Sequence, residues 1–91
     1  MPKYVIERTL PDAGSLSGDQ WRAIAEKSNG VLATMGGRAQ WQHSYVTGDK
    51  LFCVYLAEDP EALREHGAAG GFPVDAIHQV AHTIDPTTAE G

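Results

Sequence analysis

Residues Gln40 to Tyr55 read QWQHSYVTGDKLFCVY. Two runs rich in aromatic and β-branched side chains flank a Gly-Asp pair, which is the pattern of a β-hairpin. The predicted strands are Ala39 to Thr47 and Leu51 to Ala57. Leu51, Cys53 and Tyr55 alternate to one face of the second strand, and Phe52, Val54 and Leu56 to the other, because side chains in a strand point to opposite sides in turn. Both faces are apolar, so both must be covered.

Upstream, Lys3 to Arg8 (KYVIER) reads as another strand, and LPDAGSLSG then interrupts it. Ser17 followed by Gln20 has the spacing of a capping box, so a helix should begin there. Trp21, Ile24, Ala25, Ser28, Leu32 and Met35 form one stripe along it at three- and four-residue steps. Gly30 weakens this helix by about 1 kcal/mol relative to Ala, and Gly36-Gly37 end it. Downstream, Asp59-Pro60 is an N-cap followed by proline at the first helical position. That helix should run to about His66 or Ala69, where Gly70-Gly71-Phe72-Pro73 stops it. Val74 to Ile84 is expected as the last strand.

The order β-α-β-β-α-β is the split βαβ, ferredoxin-like α+β unit: a four-stranded antiparallel sheet with two helices on one face. Its first and third strands should lie in the centre. Residues 1–85 form the expected domain and 86–91 a polar tail. The helices cover only one face of the sheet. A second copy packing sheet to sheet would cover the other, giving a homodimer of the dimeric α/β-barrel type.

Composition narrows the partners. The chain has 91 residues, 42% of them hydrophobic, and a formal net charge of −5. Its seven basic residues are scattered, which argues against nucleic acid, whose phosphates demand a basic face. No apolar run approaches the roughly 20 residues of a membrane span. The opening MPKYVIERTL lacks the pattern of a signal peptide, so a cytoplasmic location is expected. Cys53 is the only cysteine, so no disulfide can form within the chain.

The segment WQHSYVTGDKLFCVYLAEDPEALREHGAAGGFP, with YVIER before it and IDPTT after it, resembles a family of small bacterial ferredoxin-like proteins of formally unknown function that includes a nickel-binding homodimer. HSYV, CVY, REH and GFP carry most of the resemblance. It implies the fold, a homodimer and a divalent transition metal, nickel first, held for sequestration or handling rather than for catalysis.

The candidate metal ligands are His43, His66, His78 and His82, since imidazole suits nickel, copper and zinc. Spacing alone gives no HxxxH or HExxH helix. His43 lies mid-strand, expected on one face with Trp41 and Tyr45. His66 falls on the buried stripe of the second helix, where a satisfied core histidine is the ordinary role. His78 and His82 are expected on one face of the last strand, about 13 Å apart. That is too far to hold one ion together. His43 is about 14 Å from them across the sheet, so a site among these three needs a carboxylate or a partner subunit. The alternative reading is a small-ligand protein or cofactor-free enzyme whose pocket near His66 is lined by Tyr45, Cys53 and Tyr55.

Overall fold

A computed structural model describes all residues, Met1 to Gly91. The elements are β1 (Lys3–Thr9), a short 3-10 turn (Ala13–Ser15), α1 (Gly18–Ala33), β2 (Ala39–Val46), β3 (Lys50–Ala57), α2 (Pro60–Gly70), β4 (Ala76–Gln79) and a terminal 3-10 turn (Pro86–Glu90). The sheet is open and antiparallel in the order β2-β3-β1-β4. The expected ferredoxin-like α+β architecture is therefore what the chain forms. No helix is long and apolar enough to cross a membrane.

Both helices begin where their local chemistry directs. Ser17 Oγ accepts from the Gln20 amide at 3.2 Å, and Gln20 Oε1 accepts from the Ser17 amide at 2.8 Å. Asp59 Oδ1 accepts from the Ala62 amide at 2.9 Å. Each side chain satisfies a donor that a helix start leaves without a partner. Gly71, at φ 71°, closes α2 in the left-handed region that glycine enters without strain.

Tyr4, Ile6 and Arg8 of β1 and Leu51, Cys53, Tyr55 and Ala57 of β3 face the helices and are buried. Ala62 and Leu63 of α2 close over them. After α2 the chain turns back across its own helix. A Cβ on Gly67 would lie 2.7 Å from Val74 Cγ2, and one on Gly70 would lie 2.2 Å from Phe72 Cε2. The absence of side chains at these two positions is what lets Phe72 and Val74 lie against α2. By contrast, Ser28 is the only buried residue of α1. Trp21, Ile24, Ala25 and Leu32 remain partly exposed, so α1 is seated less closely than α2.

Two features depart from the alternation expected in the sequence. The pairing of β2 with β3 shifts between Trp41 and His43, leaving Gln42 as an extra residue. Such a bulge moves the following side chains to the other face. Trp41 and Ser44 thus both point toward the helices, where Trp41 Nε1 donates to Ser44 Oγ at 2.9 Å. His43 and Tyr45 point to the helix-free face, so His43 does not share a face with Trp41. The second departure is in the last strand, which ends at Gln79 rather than Ile84. His82 lies beyond it, and the expected His78–His82 face is not formed.

Candidate functional site

The helix-free face of the sheet has an apolar centre with polar groups at its margins. Strand pairing aligns His43 with Val54, Val54 with Val5, and Val5 with His78. One row across the sheet therefore has a histidine at each edge strand and two valines between. Phe52 and Leu56 extend the apolar centre along β3. Tyr45 stands at the rim, 62% exposed, with its ring 5.1 Å from that of His43 in an edge-on contact.

At the β4 edge, His78 Nε2 lies 2.7 Å from Glu7 Oε2. Glu7 Oε1 is also 3.7 Å from Lys50 Nζ. The hydrogen bond to His78, followed by the Lys50 and His78 charges, holds the Glu7 carboxyl below its ordinary value against the opposing effect of desolvation. Glu7 is thus ionised at neutral pH, and an imidazole and a carboxylate form a pair of donors on one surface. No group of three or more His, Cys, Asp and Glu side chains able to hold a metal ion occurs within the chain.

The other candidates are dispersed. His66 is fully buried on α2. Its Nε2 pairs with Ser28 Oγ at 3.1 Å, and its ring stacks on Phe72 with centroids 5.4 Å apart and lies 5.6 Å from Tyr55. Burial lowers its pKa and the Arg8 charge lowers it further, while a hydrogen bond to the Ser28 backbone opposes both. The ring is therefore neutral at pH 7. Cys53 and Tyr55 line a cleft between sheet and helices. Tyr45 is on the opposite face of the sheet and cannot join them. His82 is exposed, outside every element.

Two residues central to these surroundings escaped the sequence reading: Glu7, the partner of His78, and Arg8, 4% exposed among the inward-facing side chains. A signal for Arg8 was present, since it shares strand parity with Tyr4 and Ile6. The pairing of Glu7 with His78 spans 71 positions and has no local signal.

The family described as Nickel responsive protein SCO4226-like matches residues 4–80, and the chain belongs to that family. The match includes Glu7, His43, His66 and His78 and leaves His82 outside. The crystal structure of SCO4226 from Streptomyces coelicolor A3(2) resembles this chain with a TM-score of 0.74, covering 90% of this chain and 99% of that one at 14% identity. At that identity the likeness shows the fold alone. No curated protein sequence matches the chain significantly.

Proposed function

We propose that this member of the nickel-responsive family is a homodimer that binds Ni(II) for sequestration or handling, using ligands that two sheets bring together. The observation that carries the reading is the His43–Val54–Val5–His78 row, with Glu7 hydrogen-bonded to its last member. One chain supplies only two adjacent donors at Glu7 and His78, fewer than a stable site requires. Two sheets stacked face to face lie about 10 Å apart, close enough for side chains to interdigitate. With the two-fold axis parallel to the strands, the β2 edge of each copy meets the β4 edge of the other. His43 of one protomer then joins Glu7 and His78 of its partner, and symmetry makes the arrangement twice.

Two imidazoles and a carboxylate suit nickel, which accepts nitrogen and oxygen donors and completes its coordination with water. The valines and Phe52 supply the apolar contact between copies. Metal binding and dimerisation are thereby linked, since binding to one assembly state draws the equilibrium toward it.

Titration calorimetry with NiCl2, paired with sedimentation, tests the reading. His43→Ala, His78→Ala and Glu7→Gln are each expected to weaken binding by about tenfold or more, a typical cost of losing one direct ligand, whereas His82→Ala binds normally. No nickel binding by the native chain, or undiminished binding in all three variants, overturns it.

A further inference from the structure

A second feature of the molecule lies on the other side of the sheet. The loose seating of α1 leaves a cleft with three adjoining compartments of about 50, 140 and 250 Å³, all bordered by Ile24 and Leu51. The smallest is lined by Arg8, Ser28, Cys53, Tyr55 and Phe72, together with Trp41 and Ser44. The largest is walled by Trp21, Trp41 and Val46, and Val46 is 42% exposed, so the cleft reaches solvent at that end. Its lining is mostly apolar.

Arg8 stands out in this setting. Its guanidinium is buried, and guanidinium groups retain their charge in proteins. Nη1 donates to the Pro73 carbonyl at 2.7 Å, whereas Nη2 makes no hydrogen bond of ordinary geometry, and the polar side chain nearest the guanidinium is the neutral Tyr55 hydroxyl. No carboxylate pairs with Arg8, although Arg22, Arg38 and Arg64 all form ion pairs. Phe72 lies over the guanidinium at 5.8 Å, and Lys27 approaches the same ring at 5.7 Å. The surroundings thus contain two cations and no opposite charge. Buried charges in proteins are ordinarily paired because desolvating a lone ion is costly.

We infer that the cleft binds a small organic monocarboxylate with an apolar body, its carboxylate on Arg8 Nη2 and its body along Ile24, Leu51 and the two tryptophans. A guanidinium with one unengaged amino group, on the wall of a compartment of about 50 Å³, suits a single carboxylate. A phosphate would require further donors, and Arg8 Nη1 is already engaged by Pro73. Ser28 supplies a hydroxyl at the same wall, and its Oγ pairs with His66 Nε2. A neutral His66 leaves Arg8 as the cationic anchor. The site faces away from the Glu7–His78 pair and is independent of nickel.

The test uses the full-length protein with a metal chelator present, titrated with phenylacetate and separately with phenylacetamide, which has nearly the same shape and no charge. Amide and indole N–H chemical shifts report binding. The acid is expected to bind about tenfold or more tightly than the amide, the ratio appropriate to a charge-assisted hydrogen bond. Its shifts should concentrate at the Trp21 and Trp41 indoles and the Phe72 amide. Arg8→Gln should bring acid and amide to equal affinity, and Arg8→Lys should restore part of the preference. If Arg8→Gln does not fold, contacts between the aromatic protons of phenylacetate and Ile24 or Phe72 in the native protein decide the placement. Equal affinity for acid and amide, an acid preference that survives Arg8→Gln, no acid binding up to about 10 mM, or shifts confined to residues outside the cleft would each overturn the inference.

Discussion

Acidification from about pH 7.5 to about pH 5 should destabilise this protein through His66. The side chain is fully buried, and its pKa is lowered from the ordinary 6.5, first by burial and then by the Arg8 charge. The unfolded chain therefore binds a proton that the folded chain resists. The stabilisation is fully present above pH 6.5 and is lost as pH falls from there toward the folded pKa. One proton gives a slope of at most about 1.4 kcal/mol per pH unit, so the loss by pH 5 reaches at most about 2 kcal/mol. That is a large part of the roughly 5–15 kcal/mol that holds a domain folded. Glu7 and Asp85, also lowered, have ordinary values of 4.5 and 3.8, so their contributions disappear at lower pH. Urea unfolding of the native protein and of His66→Gln, at fixed protein concentration across this range, isolates the effect. Glutamine can still reach Ser28 but cannot take up a proton, and its stability should vary less with pH. It should also start about 1–2 kcal/mol lower, having lost the ring contacts with Phe72 and Tyr55. A native curve that is flat over this range, or a glutamine curve that falls as steeply, would refute the reasoning.

Phe52→Lys places a charge on the helix-free face at a side chain only half-buried within one chain, so sedimentation should show a monomer with native circular dichroism; a dimer of unchanged affinity would remove this face from the interface. Nickel affinity should fall as pH drops below about 6.5, because imidazole ligands must be neutral, while Glu7 stays ionised; calorimetry showing constant affinity down to about pH 5 would point away from histidine. Gly70→Ala puts a methyl group 2.2 Å from Phe72 and forces that ring to move. The expected cost is about 1–3 kcal/mol in thermal unfolding, and an unchanged midpoint would show that the ring yields freely. Asp59→Ala should cost about 1 kcal/mol through loss of the α2 cap, read from the same melts.

The sequence by itself determined the element order and the fold class, because those depend on short-range chemistry. The Ser17–Gln20 box, the Asp59–Pro60 start and the alternation along β3 each act within a few residues, and the structure keeps all three. The capped helices leave one sheet face bare whatever their detailed seating, so the apolar Phe52, Val54 and Leu56 surface was also legible. Tertiary structure decided where the functional side chains point. A single extra residue at Gln42 reverses the side on which His43 and Tyr45 emerge, and alternation carries no warning of a bulge. Pairing with β1 ends β4 at Gln79 and leaves His82 outside, although the sequence reads as strand to Ile84. Glu7 meets His78, and Ser28 meets His66, across 71 and 38 positions respectively. The lone charge of Arg8 inside the cleft has the same origin. A strand's parity can turn an arginine inward, but only the assembled neighbours decide whether a carboxylate awaits it there.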